Sequence, residues 1–206
     1  MNLFLNYVMT DKLINKIIVG IDEAGRGPIA GPVVAGAVIL PEDFSNPEIT
    51  DSKKLSEKKR EEFYDIIVNE ALAWAVGIVS PKEIDEINIL KATHKAMRLA
   101  IEALSIKPDF ALVDGLPVKG LPCEHEAVVK GDALVPAISC ASIIAKVTRD
   151  RIMVEEDKKY PLYGFKGHKG YGTKAHIEAI EKYGVCPIHR VTFEPIFSML
   201  NTLKLF

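Results

Sequence analysis

The chain is short of several things, and each shortage narrows what it can be. It has three cysteines, Cys123, Cys140 and Cys186, an odd number with no Cys-x-x-Cys pair. That excludes a disulfide framework or a zinc ribbon and points to free thiols in a reducing compartment, the cytoplasm. Excess charge is missing too: 26 Lys and Arg against 28 Asp and Glu leave a net charge of −2. A protein that coats nucleic acid by bulk positive charge is thereby excluded, although a local basic face is not. No apolar run is long enough to span a membrane, because the longest, Pro28 to Pro41, is short and interrupted by Gly and Pro. The N-terminal MNLFLNYVMTDK lacks the basic start and small-residue cleavage site of a signal peptide, and Met9 is an alternative start. Repeats, low-complexity tracts and linkers are absent as well. With 206 residues, 48% hydrophobic and 26% charged, the sequence reads as one α/β domain with a sizeable core.

What is present is a regular alternation of apolar runs and amphipathic stretches. Ile17 to Ile21 reads as a strand ending at Asp22, and Pro32 to Leu40 as a second. The turn between them is too short for a helical crossover, so the pair is antiparallel. A helix follows from Ser56, whose SEKKRE is a capping-box-like start. Further strands are expected at Trp74 to Val79, Phe110 to Val113 and His125 to Val129. Helices are expected at Ile84 to Leu104, Ser139 to about Lys159, Thr173 to Lys182 and after Pro195. A meander followed by β-α-β units gives a mixed sheet. The sheet-and-helix core covers about 17–160, and a C-terminal loop and helical part about 161–206.

Against this pattern the stretch VGIDEAGRGPIAGPVV is unusual, because Asp22 and Glu23 sit between two apolar strands. A carboxylate in an apolar setting costs several kcal/mol unless it is paired or bound to a metal. Asp114 also ends an apolar strand, and Asp132 follows the fifth, so four acids converge on one edge of the sheet. For Glu23 to join Asp22 the chain must turn there, since successive strand side chains point to opposite faces. Clustered carboxylates repel unless they share a cation, and an all-oxygen set suits Mg²⁺ or Mn²⁺. Any one of these acids alone is more simply a cap of a helix or turn. The glycines Gly25, Gly27 and Gly31 have GxGxxxG spacing and lead into a strand, so they do not form a dinucleotide-binding motif. A tight turn with exposed amides and one arginine, Arg26, suits close approach to a sugar or phosphate.

Five stretches taken together resemble one family: GIDEAGRGPIAGPVVAGAVIL, TDSKKLSEKKRE, LVDGLP, VVKGDALVPAISCASIIAKVTRDRIM and YPLYGFKGHKGYGTKAHIEAI. They are similar to bacterial ribonuclease HII, the type 2 ribonuclease H, from about Ile17 to Pro195, in order and without large gaps. The resemblance implies the ribonuclease H-like fold, a five-stranded mixed sheet flanked by helices. It implies an endoribonuclease that cleaves the RNA strand of RNA/DNA hybrids and nicks DNA at embedded ribonucleotides. It also implies Mn²⁺ or Mg²⁺ as cofactor and products ending in 3′-hydroxyl and 5′-phosphate. On this resemblance Asp22, Glu23, Asp114 and Asp132 match the family's catalytic, metal-binding acids. Gly25, Arg26 and Gly27 match the element that senses the ribose 2′-hydroxyl, and Tyr171 matches the tyrosine that packs on the adjoining deoxyribose. Two positions depart from the family: Cys140 replaces a small Ala or Ser, and Val191 in HRVTFEPI replaces a second arginine that would contact nucleic acid.

Two further stretches gain meaning beside an acidic centre. Lys146 to Lys174 holds eight Lys and Arg against four Asp and Glu. Ser139, Ser142, Lys146 and Arg149 fall at i, i+3, i+7 and i+10, a polar stripe on a helix otherwise small and apolar. Its plain reading is a solvated face; beside the acids it is a candidate phosphate track. Ser52 and Lys53 are candidates for a second backbone contact. His168 and His176 flank Tyr171 without a zinc spacing, so they read as structural. Two other classes of protein fit less well. A non-catalytic hybrid-binding module would have lost one of the acids, and a nucleotide-binding enzyme would need a helix after Gly31. The chain is expected to act as a monomer on RNA/DNA hybrids and ribonucleotide-containing DNA.

Overall fold

A computed structural model describes Leu13 and residues 15–50 and 52–202; the alternative start at Met9 lies outside them. Five strands form one sheet: β1 (Ile18–Ala24), β2 (Val33–Ile39), β3 (Ala73–Val79), β4 (Phe110–Asp114) and β5 (Glu124–Val128). Around it lie α1 (Glu57–Glu70), α2 (Pro81–Ile87), α3 (Ile89–Glu102), α4 (Gly131–Leu134), α5 (Pro136–Lys159), α6 (Phe165–His168), α7 (Lys174–Tyr183) and α8 (Ile196–Thr202). A single 3₁₀ turn covers Ser52–Lys54. The strand order is β3-β2-β1-β4-β5. β1 pairs antiparallel with β2 and β2 with β3, whereas β1–β4 and β4–β5 are parallel. The mixed five-stranded sheet expected from the sequence is therefore present. Because β1, β4 and β5 run the same way, their C-terminal ends meet at one edge, which brings Asp22 beside Asp114 and the turn leading to Asp132.

Helices cover both faces. On one, α3 sets Ala92, Ala96 and Ala100 against Ala35, Ala37, Val79 and Val113 of the sheet. On the other, Cys140, Ala141, Ile143, Ile144 and Val147 of α5 meet Val38, with Phe63 and Ile67 of α1 beyond them. Each large side chain buried this way contributes about 1.5–3 kcal/mol. The helix α5 lies on the strand backbone itself, and a Cβ at Gly36 would fall 2.4 Å from the Ala141 carbonyl oxygen. That close approach explains the small residues at the contact, Ala137 against Gly20 and Ala141 against Gly36. The C-terminal helices build a separate cluster, in which Tyr163, Phe165, Ile180 and Ile196 pack on Met153 of α5 and on Ile29 and Ala30 of the glycine-rich turn. The extension is thereby tied to the segment that follows the acids.

Three local expectations are corrected. First, β1 does not end at Asp22; its pairing with β2 continues through Asp22↔Gly36, Glu23↔Ala35 and Ala24↔Val34. Asp22 and Glu23 are therefore successive residues of a paired strand with no turn between them, although Glu23 still lies close enough to repel the Asp22 carboxylate. Second, the long helix expected at Ile84 to Leu104 is two helices. Asn88 adopts a left-handed backbone, φ 69°, donates its N–H to the Ile84 carbonyl at 2.9 Å and accepts from Lys91 N at 3.1 Å. One residue thus ends α2 and caps α3, an arrangement open to Asn because its side chain satisfies the freed amides. Third, α5 begins at Pro136, before Ser139, because proline is favoured in the first turn of a helix.

Candidate metal centre and nucleic-acid interface

Asp22 lies in β1, Asp114 ends β4, and Asp132 is in the one-turn helix α4 that follows β5. One carboxylate oxygen from each lies within 4.8 Å of the others. Asp22 and Asp132 are buried and Asp114 is half-buried. Burial raises the Asp22 carboxyl well above its ordinary value, with Glu23 and Asp114 adding repulsion and a bond from the Ser142 hydroxyl opposing them. Asp114 is raised by burial and then by Asp132, against the backbone amides of Asp132 and Gly131 that point at it. Its Oδ1 accepts the Asp132 N–H at 3.3 Å. Three mutually repelling carboxylates held out of water, offering oxygen alone, fit a hard divalent cation. Glu23 stands outside this trio, with its carboxyl 3.3 Å from Arg26 Nη1, and burial raises it despite that partner.

The polar stripe on α5 is neither a solvated face nor an exposed phosphate track. Ser139 and Ser142 are buried, and Arg149 is 1% exposed. The Ser139 hydroxyl donates to the Asp132 carbonyl at 2.8 Å. The Ser142 hydroxyl lies 2.8 Å from that of Ser52, which is itself buried, so Ser52 braces the centre from within. Arg149 donates to the carbonyls of Pro32 at 2.9 Å, Lys169 at 2.9 Å and Ala30 at 3.0 Å. Lys146 pairs with Asp150 at 2.8 Å. Periodicity alone gives no way of telling a polar stripe that faces water from one that faces buried carbonyls. Lys53 behaves as expected for a surface cation, largely exposed, with its Nζ 3.3 Å from Asp132 Oδ2.

The turn from Gly25 to Gly31 is shaped from outside itself. Gly25 has φ 97°, and a Cβ there would fall 2.2 Å from Arg149 Nε, so no other residue fits. Arg190, fully buried, donates to the carbonyls of Gly31 at 3.0 and 2.8 Å, Arg26 at 3.1 Å and Gly25 at 2.6 Å. Burial and the neighbouring Arg149 push the Arg190 guanidinium down to about 9, which leaves it a cation at neutral pH. With these carbonyls turned inward, the side chain of Arg26 remains outside. Tyr171 is 47% exposed, and a Cβ at Gly27 would fall 3.8 Å from its ring carbon Cε1. The structure thus brings Gly25, Arg26, Gly27 and Tyr171 together beside Glu23. His168 and His176 are indeed structural: their rings stack at 4.2 Å, and neither is aimed at the acids.

Sequence reasoning passed over Arg190 and His189. The only signal was the pair His-Arg in HRVTFEPI, where the departure at Val191 drew notice instead. Val191 is partly exposed, and its amide donates to Asp85 Oδ2 at 2.9 Å.

Strand order, helices on both faces and a buried trio of acids at the strand ends define a nuclease of the ribonuclease H-like fold. The ribonuclease H2 from Pyrococcus horikoshii OT3 is similar with a TM-score of 0.75 and 31% identity, covering 91% of this chain and 98% of that one. The RNase HII of Archaeoglobus fulgidus, solved in a complex with PCNA, is similar with a TM-score of 0.70 and 27% identity, covering 86% and 95%. In sequence, residues 19–196 match the family model described as Ribonuclease HII. Ribonuclease HII of Acetivibrio thermocellus is 59% identical over 182 residues, 88% of this chain and 71% of that relative. Ribonuclease HII of Coxiella burnetii is 54% identical over 192 residues, 93% of each. The chain belongs to the ribonuclease HII family, whose members are divalent-metal-dependent ribonucleases H acting on RNA/DNA hybrids. Among the described residues no helix is long and apolar enough to cross a membrane.

Proposed function

We propose that this protein cleaves the RNA strand of RNA/DNA hybrids and nicks DNA on the 5′ side of embedded ribonucleotides, leaving 3′-hydroxyl and 5′-phosphate ends. The observation that carries the reading is the meeting of Asp22, Asp114 and Asp132 within 4.8 Å, at the strand ends that lead into the Gly25–Gly27 turn. Asp22, Asp114 and Asp132 would hold Mn²⁺ or Mg²⁺, with Glu23 completing the set. Two such ions, when bound, supply an activated water for attack on phosphorus and stabilise the departing 3′ oxygen. The protein's own part is to hold the acids where the scissile phosphate docks and to exclude strands that lack a 2′-hydroxyl. The Gly25–Gly27 turn and the side chain of Arg26 meet the ribose and its phosphate, and the Tyr171 ring covers the next sugar. The 2′-hydroxyl is the group that separates RNA from DNA at a given position. Lys53 lies at the outer margin, suited to a flanking phosphate. One chain supplies the whole set, so we take the monomer as the working unit.

The test is cleavage of a labelled duplex carrying one ribonucleotide, with Mn²⁺, Mg²⁺ or chelator, beside Asp114→Asn. The expected result is a metal-dependent nick 5′ of the ribonucleotide that the variant loses. A wild type that cuts long hybrids and leaves this duplex intact would refute the junction reading. A wild type that binds both and cuts neither would make the acids structural.

A further inference from the structure

The two buried histidines behind Tyr171 form a chain of hydrogen bonds whose direction is fixed. The amide of Cys186 lies 2.8 Å from His189 Nδ1. A backbone N–H only donates, so this Nδ1 holds its lone pair and the ring proton sits on Nε2. The Cys186 carbonyl also lies 3.2 Å from Nδ1, a longer approach than the amide makes. His189 Nε2 is 3.0 Å from His176 Nε2 and must donate to it. That leaves the His176 proton on Nδ1, which faces the Tyr171 carbonyl at 2.8 Å, and a carbonyl only accepts. The same carbonyl takes the Thr173 N–H at 2.8 Å, while Thr173 Oγ1 accepts from His176 N at 3.4 Å. Each ring nitrogen in the chain thus has one role, and the chain ends on Tyr171.

The surroundings leave the pair no other state. Both rings are buried, His176 fully. The ring of Phe165 meets both, with Tyr163 edge-on to His189 and His168 stacked on His176. His168 itself is bound at both nitrogens, to the Tyr163 carbonyl and the Gly170 amide. The titratable side chains facing the pair are His168 and Tyr163, and Cys186 meets it through its backbone. Burial holds both imidazoles down at about 4, so they are neutral at neutral pH. A second proton on His176 would set two N–H groups against each other across 3.0 Å. The neighbouring turn is tied to the same unit: Ile29 N donates to the Gly170 carbonyl at 3.0 Å, and Ala30 bridges to His189.

We propose that His176 and His189 are positioning residues for substrate recognition, holding the Tyr171 backbone so that its ring stands against the Gly25–Gly27 turn. This rests on the reading of Tyr171 as a substrate contact. The histidines do not touch substrate; they act through the tyrosine.

The experiment measures kcat and KM on the single-ribonucleotide duplex for Tyr171→Ala, His176→Phe, His176→Asn and the double variant His176→Phe/Tyr171→Ala. Phenylalanine keeps a ring but loses both the donor at Nδ1 and the acceptor at Nε2. Asparagine places an amide N–H near Nδ1 and keeps the bond to the Tyr171 carbonyl. We expect His176→Phe to lower kcat/KM about tenfold, mainly through KM, as loss of the buried hydrogen bond to the Tyr171 carbonyl would. His176→Asn should recover to within about threefold of wild type, and the double variant should fall no further than Tyr171→Ala. Nitrogen-15 NMR of the wild type should show neutral His189 protonated at Nε2 and neutral His176 at Nδ1. Additive losses in the double variant, or the opposite tautomers, overturn the proposal. So does a His176→Asn as impaired as Tyr171→Ala, even where His176→Phe fails to fold. An unimpaired Tyr171→Ala refutes the substrate reading as well, whereas an impaired Tyr171→Ala beside a normal His176→Phe refutes the positioning role alone.

Discussion

Replacing Arg190 separates the shape of the glycine turn from the chemistry of the acids. The guanidinium donates to three backbone carbonyls, those of Gly25, Arg26 and Gly31, and touches no acid of the centre. In Arg190→Met those carbonyls lose their partners. A buried acceptor left unpaired costs about 1–3 kcal/mol, and water can reach the outer end of the turn, so the total loss should be about 3–5 kcal/mol. For a chain of this length that is a fall in Tm of about 8–15 °C. Arg190→Lys should fall between, since an ammonium reaches one or two of the carbonyls but cannot fork across three. The assays are thermal unfolding in chelator and kcat/KM on a hybrid and on a single-ribonucleotide duplex. If the turn reads the ribose, the second substrate should suffer more than the first in Arg190→Lys. A Tm of Arg190→Met within about 2 °C of wild type would refute the reasoning, because it would mean that the three carbonyls need no cation.

Other consequences concern the acids, the turn and the histidines. Asp22→Asn should abolish cleavage while stabilising the metal-free protein by about 1–3 kcal/mol in denaturant titrations, because a neutral isostere removes repulsion among buried carboxylates. Equal or lower stability would mean that the trio is neutralised in some other way. Gly25→Ala should cost at least about 2 kcal/mol and most of the activity, since φ 97° and the Arg149 guanidinium both exclude a Cβ. His176 and His189 titrate at about 4 in the fold, below the ordinary 6.5, so the unfolded chain binds more protons between those values. Their contribution is present above pH 6.5 and is lost as pH falls towards 4, at up to about 1.4 kcal/mol per pH unit for each ring. Unfolding free energies measured across that window should show the slope, and His176→Asn should lose one ring's share.

Much of the fold was legible because the strands are short apolar runs with clear ends. The antiparallel β1–β2 pair followed from the brevity of the turn alone, and Asp114 and Asp132 from their places after strands. The end of β1 was misjudged because apolar character stops at Ile21 whereas strand pairing continues to Ala24. Backbone hydrogen bonds with β2 decide where β1 ends, and they leave no mark on hydropathy. The break at Asn88 interrupts a helical pattern with a residue that also occurs inside helices, so periodicity runs straight across it. The stripe on α5 was seen, but the partners that define it, Ser52, Asp132 and the turn at Pro32, lie in other elements. Arg190 and His189 act across more than 150 residues on Gly31 and Ala30, a relation that local spacing cannot express.

The same helix has a consequence for where the enzyme cuts. Its Ser139 holds Asp132, its Ser142 faces Ser52, and its Arg149 braces the segment that carries the turn. These points lie about 15 Å apart along a rod that does not stretch. On the function proposed above, the interval between the acids and the turn that would recognise the sugar is therefore set by a rigid gauge. Surface loops can lengthen or shorten without altering it. One residue inserted between Ser139 and Arg149 would swing the far fittings by about 100° and leave the two ends out of step.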